Sequence, residues 1–140
     1  MRRSLLITAL LVSSLTLVSC APSRDDADKK LAKVCLASIK GLSDPDDQFD
    51  VQKTTFLSGK SHDGLDTRTV TLNTHFIHAH GVMVEKDYSC TYKEQWSMFG
   101  YMPEFYNLEK DGQKIGNVNG SIQGDTDSIM KINNATEQSF

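Results

Sequence analysis

The chain has 140 residues, carries a formal net charge of -3, and contains 39% apolar and 24% charged residues. This length accommodates one small domain with a modest hydrophobic core. The slightly acidic balance argues against a protein that binds nucleic acid through attraction to phosphates. With 3 prolines and 9 glycines, the chain is neither collagen-like nor low in complexity.

The amino-terminal segment has the composition of an export signal. Met1-Arg2-Arg3-Ser4 is basic without an acidic residue, and a mostly apolar run follows from Leu5 to Val18. A run of this length is typical of a signal peptide and is short for a membrane-spanning helix, which needs about 20 residues. We therefore predict that residues 1–19 are a signal peptide and are not part of the folded domain.

The end of the apolar run carries a motif for lipid attachment. It reads Leu17-Val18-Ser19-Cys20 and is followed by a polar stretch. This segment, and no other part of the chain, resembles the lipobox of bacterial lipoproteins. The resemblance implies diacylglycerol on the Cys20 thiol, cleavage before Cys20 and acylation of the new amino terminus. The alternatives are an uncleaved membrane anchor or an ordinary signal peptide cut nearby.

The residue after the cysteine bears on the location of the protein. It is Ala21, whereas an aspartate at this position favours retention in the inner membrane among lipoproteins. The resemblance therefore implies an outer-membrane lipoprotein facing the periplasm. Residues 20–28 are predicted as the lipidated terminus and a short polar tether that reaches about 25–30 Å when extended. Residues 29–140 are predicted as a single periplasmic domain.

Two cysteines remain once Cys20 is assigned to the lipid. Cys35 and Cys90 form an even pair in an exported domain, which predicts a disulfide. The bond would close a long loop and stabilise the fold by about 4 kcal/mol. Two buried free thiols are the alternative, and a zinc or redox pair is disfavoured because no C-x-x-C occurs.

Residues 26–42 are predicted to form an amphipathic helix. Acidic residues at its start and the Ser43-Asp44-Pro45 run after its end support these limits. Its apolar stripe, which includes Cys35, consists of Leu31, Val34, Cys35, Ser38, Ile39 and Leu42.

Residues 67–78 and 82–94 are predicted to form two strands joined by the loop Ala79-His80-Gly81. This loop length places apolar side chains opposite one another and puts Cys90 on the buried face, where it can meet Cys35. The predicted pairs are Phe76 with Val84, Leu72 with Tyr88, and Val70 with Cys90.

The rest of the sequence predicts more strands and a short carboxy-terminal helix. Residues 50–58 read as a strand, 104–110 and 113–118 as a hairpin around Asp111-Gly112, and 119–125 as a loose segment. A short helix is expected from Thr126. The predicted class is α+β: the N-terminal amphipathic helix packs on a meandering antiparallel sheet of about four or five strands.

Residues 95–103 are predicted as an apolar loop or short bulged strand, and aromatic side chains continue beyond them. Such side chains anchor protein interfaces. The candidate interface residues are Trp96, Phe99, Tyr101, Phe105 and Tyr106. Because the domain has few apolar residues, the favoured alternative is that these side chains belong to its core.

His75, His78 and His80 form an H-x-x-H-x-H pattern that could offer imidazoles to zinc or copper. On a strand, however, His75 points to the opposite face, and His80 falls in the predicted turn. The acidic loop 44–50 lacks the spacing and the glycine of a calcium loop. We therefore predict no metal site and no cofactor, and keep a weak metal-binding module as an alternative.

The sequence predicts a protein that is not an enzyme, since it contains no signature of a nucleophile elbow, phosphate loop or zinc protease. We expect an envelope lipoprotein whose disulfide-stapled domain binds or supports an unidentified periplasmic or membrane partner, without nucleic acid. An inhibitor or immunity-type protein is the other alternative, because small disulfide-stapled lipoproteins include lysozyme inhibitors. Their S-G-x-x-Y-type loop is not found here.

Overall fold

The structure, a computed structural model, describes residues 22–78 and 81–140. The predicted signal peptide 1–19, the lipobox with Cys20, and His80 lie outside these residues. Within the described ranges, no helix is long and apolar enough to cross a membrane.

The domain is built from two helices that enclose six consecutive strands in chain order. All the strands are antiparallel neighbours in one open sheet, ordered β1 to β6. The α+β class and the N-terminal helix are as predicted, but the sheet has six strands rather than four or five. The elements are α1 (Arg24–Gly41), β1 (Gln48–Lys60), β2 (Asp66–Ile77), β3 (Met83–Ser97), β4 (Gly100–Lys110), β5 (Gln113–Val118), β6 (Ser121–Gln123) and α2 (Thr126–Glu137).

Helix α1 begins at Arg24, earlier than predicted, because Ser23 caps it. The Ser23 side chain accepts a hydrogen bond from the backbone N–H of Asp26, a standard N-cap arrangement. Residues 24 and 25, predicted only as tether, therefore belong to the helix, and residues 26–28 are helical as the predicted helix 26–42 required. Its buried residues include most of the predicted stripe: Leu31, Val34, Cys35, Ser38 and Ile39.

Both helices pack on the same face of the sheet and leave the other face open. Helix α1 contacts β1, β2 and β3, and α2 contacts β4, β5 and α1. The opposite face carries polar residues such as Thr71 and Asn73, as is common in antiparallel sheets with one solvated side. The largest fully buried side chains are Leu31, Ile39, Val70, Leu72, Thr74, Tyr88, Cys90, Tyr92, Leu108 and Ile132, with Cys35.

The predicted pairing of β2 with β3 is confirmed at Val70–Cys90, Leu72–Tyr88 and Phe76–Val84. The predicted disulfide is present: Cys35 and Cys90 are bonded, with their Cα atoms 5.7 Å apart. The apolar face of this hairpin is not buried along its full length, however. Val82 and Val84 are 64% and 44% exposed.

The predicted β4–β5 hairpin is confirmed in its register, which pairs Leu108 with Ile115 and Lys110 with Gln113. Asp111 and Gly112 adopt positive φ values of 52° and 76°, as a two-residue hairpin turn of type I′ requires. The segment 119–125, predicted as loose, contains the short strand β6, which pairs with β5.

Candidate interaction surface at the β3–β4 hairpin

Strands β3 and β4 extend beyond the rest of the sheet. They pair with each other as far as a two-residue turn at Met98 and Phe99. Pairing of β2 with β3 ends at Lys93, and pairing of β5 with β4 includes no residue of β4 before Asn107. Residues 94–103 therefore form a two-stranded projection, which we call the hairpin arm. This region was predicted as a loop or short bulged strand.

The tip of the hairpin arm is apolar and accessible. Phe99 is 91% exposed and Met98 is 89% exposed, while Met102 and Trp96 are 54% and 43% exposed. No charged residue occurs between Glu94 and Glu104. Exposed apolar groups that lie together in this way mark interaction sites more often than they mark ordinary surface.

The base of the hairpin arm is tied to the start of α1. The rings of Trp96 and Tyr101 lie 4.4 Å apart between centroids, and the Arg24 guanidinium lies 4.8 Å from the Trp96 centroid. Arg24 also forms an ion pair with Glu94, which accepts a 2.8 Å hydrogen bond from the Tyr101 hydroxyl. The hydrogen bond to Glu94 raises the pKa of Arg24. The first turn of α1 is thus held against the arm.

The carboxy-terminal residue lies at the same end of the domain. The ring of Phe140 packs edge-on against Tyr101, with centroids 5.5 Å apart. The Lys30 ammonium of α1 lies 5.4 Å from the Phe140 centroid. The start of α1, the end of the chain and the hairpin arm therefore meet around Tyr101.

The structure separates the candidate interface residues into two groups. Tyr101 and Phe105 are only 4% and 8% exposed and belong to the core. Tyr106 is half-buried, and its hydroxyl accepts a 3.3 Å hydrogen bond from the backbone N–H of His62. Trp96 and Phe99 are accessible. The core alternative is therefore confirmed for Tyr101 and Phe105, and the interface hypothesis stays a prediction for Trp96 and Phe99.

Sequence reasoning missed Met98 and Met102 as exposed members of the same surface. The available signal was Gly100, directly after the Met98-Phe99 pair. Its φ is 134°, which glycine adopts more readily than other residues and which permits the tight reversal here. Placing a turn before Gly100 would have put both preceding side chains at a hairpin tip.

Of the three histidines in the predicted cluster, the structure describes His75 and His78, and these two have different surroundings. His75 lies within β2, between Asp50 of β1 and Glu85 of β3. His78 instead meets the acidic loop after α1, where its Nδ1 lies 2.6 Å from Oδ1 of Asp47. One ligand atom from each of Asp44, Asp47 and His78 lies within 4.8 Å of the others.

A second exposed apolar surface occurs at the far end of the sheet. Val82 and Met83, at the β2–β3 hairpin, are 64% and 60% exposed. The end of α1 lies at this side of the domain, where the Lys110 ammonium is 3.4 Å from the carbonyl oxygen of Leu42. Shallow, solvent-open depressions on the uncovered face are lined by polar groups such as Asn73 and Asp87.

Comparison of the chain with protein-family models, with curated proteins and with solved structures finds no match in any of the three.

Proposed function

We propose that this chain is an exported bacterial lipoprotein, anchored through Cys20 to the periplasmic side of the outer membrane. Its folded domain is a non-catalytic binding module that works beside that membrane and holds a partner there. The lipobox Leu17-Val18-Ser19-Cys20 supports the anchor.

The disulfide supports an exported location. Cys35 and Cys90 are both fully buried, and their bond joins α1 to β3 in the middle of the core. Structural disulfides persist in oxidising compartments such as the bacterial periplasm and are rare in the cytosol. A core that includes this bond is suited to a domain that folds after export.

The observation that carries the proposal is the position at which the first described helix begins. Arg24 follows Cys20 by four positions and is already packed against Trp96. Four fully extended residues span at most about 14 Å. A domain attached through Cys20 is therefore held against its bilayer, and a partner that it binds must be reached there.

The accessible surfaces favour binding over catalysis. Apolar side chains are exposed at both ends of the sheet, at Phe99 and at Met83. The depressions on the uncovered face are shallow and open to solvent, whereas substrate sites are commonly enclosed and largely apolar. The inhibitor and metal-module alternatives stay predictions.

Fatty-acid labelling tests the anchor. Cells that produce the full chain are grown with a labelled fatty acid, and we expect the protein to be labelled and to sediment with membranes. The Cys20→Ser variant should lose the label and should not be processed. Ala21→Ser, which keeps the cysteine, is the matched control and should behave as the wild type. Label retained on Cys20→Ser would contradict the anchor.

Membrane separation tests the location. Wild-type protein should fractionate with the outer membrane, and Ala21→Asp should move toward the inner membrane, as the resemblance to the lipobox class implies. If the wild type and Ala21→Asp both fractionate with the inner membrane, the outer-membrane assignment is contradicted. That result would not contradict the lipid anchor.

A further inference from the structure

We propose that the tip of the hairpin arm inserts into the surface of the same lipid bilayer that holds the acyl chains on Cys20. The inserting side chains are Met98 and Phe99 at the turn, flanked by Trp96 and Met102. This inference rests on the proposed lipid anchor and adds a second, sequence-distant membrane contact, which would orient the domain on the bilayer.

The first argument is the length of chain between the anchor and the fold. Cys20 lies within about 14 Å of Arg24 at full extension. Arg24 stacks on Trp96, and the turn at Met98 and Phe99 lies about 7 Å farther along the strand. The short link therefore limits how far an acyl chain on Cys20 can lie from the end of the domain that carries the tip.

The second argument is the chemistry of the tip. Residues 95–103 include no charged side chain, and the two turn residues expose about nine-tenths of their surface. Tryptophan favours the boundary between headgroups and acyl chains, and Trp96 is 43% exposed beside the tip. At the base of the arm, Arg24 and Glu94 neutralise each other in an ion pair. The tip itself, between Glu94 and Glu104, can therefore enter the boundary without a charged side chain of its own.

Backbone hydrogen bonding sets the depth. In the arm, β3 and β4 pair with each other, while their outer edges lack a neighbouring strand beyond Lys93 and before Asn107. Unpaired backbone groups are not tolerated in the hydrocarbon region. Insertion therefore involves the turn side chains at the boundary between headgroups and acyl chains and does not extend to a membrane-spanning strand.

The β2–β3 hairpin provides the matched comparison. Val82 and Met83 are exposed and apolar as well, but they lie at the other end of β3. A strand as long as Met83–Ser97 spans about 45 Å. When the strands stand upright on the bilayer, the end that carries Val82 and Met83 is held away from it. The short link from Cys20 to Arg24, which packs against Trp96, selects the hairpin arm as the end that meets lipid.

The chain contains one tryptophan, Trp96, which makes a direct test possible. The full acylated protein is purified from membranes and reconstituted into phosphatidylethanolamine–phosphatidylglycerol vesicles with plain or brominated acyl chains. We expect Trp96 emission to shift to shorter wavelength on vesicle binding and to be quenched by the brominated lipids. The acyl mass on the Cys20 peptide is measured on the same sample.

Two double variants make the test specific. Met98→Asp with Phe99→Asp should remain bound through the lipid but lose the quenching, because charged side chains are excluded from the acyl region. Val82→Asp with Met83→Asp changes two exposed apolar residues at the far end in the same way and should be quenched like the wild type. Circular dichroism on both verifies that the fold is retained.

The outcomes separate the inference from the anchor. A sample without acyl mass on Cys20 contradicts the anchor and removes the premise of the insertion. An acylated wild-type sample in which brominated lipids do not quench Trp96 contradicts the insertion alone. Equal quenching in wild type and in the Met98 and Phe99 double variant also overturns it. A concentration-dependent emission shift without vesicles would assign the tip to a second copy of the chain instead.

Discussion

The Arg24 guanidinium lies 4.8 Å from the ring centroid of Trp96, so that the first turn of α1 covers the base of a hairpin far away in sequence. The same guanidinium pairs with Glu94, whose side chain is only 5% exposed. This contact connects the predicted site of lipid attachment, four residues before Arg24, to the most exposed apolar side chains of the domain.

Replacing Arg24 with glutamine should lower the free energy of unfolding by about 1–2 kcal/mol, because Glu94 would keep only the hydrogen bond from Tyr101 near its buried carboxylate. Trp96 emission should change as well, since its stacking partner is lost. Urea denaturation followed by fluorescence measures both. Lys33→Gln, at an exposed position on α1, is the control and should change neither.

Asp28 and Arg68 form a second contact that should be sensitive to mutation. Their side chains are 10% and 15% exposed, and Nε of Arg68 donates a 3.0 Å hydrogen bond to Oδ1 of Asp28. Asp28→Ala should cost about 3–5 kcal/mol, because it leaves a largely buried guanidinium without its carboxylate. The double variant Asp28→Leu with Arg68→Met should recover much of the loss. If Asp28→Ala lowers the free energy of unfolding by less than about 0.5 kcal/mol, as a change at an exposed position would, this account is contradicted.

Removal of the disulfide should lower stability through the unfolded state. Cys35 and Cys90 are separated by 55 positions, and releasing a loop of this length should cost about 4 kcal/mol. Thermal unfolding of the Cys35→Ala with Cys90→Ala variant measures the effect. Mass spectrometry of a non-reduced digest should show the linked peptides in the wild type. Finding both thiols open to alkylation after export would contradict the bond.

High pH should unfold the domain through its buried tyrosines. Burial raises the pKa of Tyr88 to about 12, and it also raises the pKa values of Tyr92 and Tyr101. These groups bind their protons more tightly when folded. Their contribution is fully present below the unfolded-state pKa of about 10 and is lost as the pH rises through 12 and beyond.

Tyrosinate absorbance and circular dichroism, recorded together while the pH is raised, test whether the buried tyrosines ionise only as the domain unfolds. The absorbance of three of the four tyrosines should appear with the loss of secondary structure. Tyr92→Phe should move the transition to higher pH, because it removes one of the coupled ionisations. Full tyrosinate absorbance with an intact fold would contradict the prediction.

The histidines should not form a tight metal site. The carboxylate of Asp47 already lies 2.6 Å from Nδ1 of His78, and His75 is separated from them along β2. The purified protein should release zinc or copper to a mild chelator. Near-stoichiometric metal after that treatment, lost in His78→Ala, would overturn the prediction. His78→Ala should also lower stability more than His75→Ala, because it leaves the largely buried Asp47 carboxylate without this partner.

Local periodicity was enough to predict several features of this fold. The helix that buries Leu31 and Cys35 follows from an apolar repeat matched to the helical turn. The pairing of Val70 with Cys90 follows from strand alternation and loop length, and it places the disulfide. These relations depend on neighbours in sequence or on one short connection, so they can be derived without the rest of the molecule.

The sequence alone predicts the class of fold, the partner of Cys35 and the apolar character of the segment around Trp96. The packing of the domain is needed to see that Asp28 is buried against Arg68, that Tyr101 is core and that Phe99 is exposed. These outcomes depend on where α1 crosses the sheet and on how far β3 and β4 extend beyond their neighbours. Such long-range packing leaves no periodic signal in the chain, because burial on a strand requires a covering element as well as an apolar face.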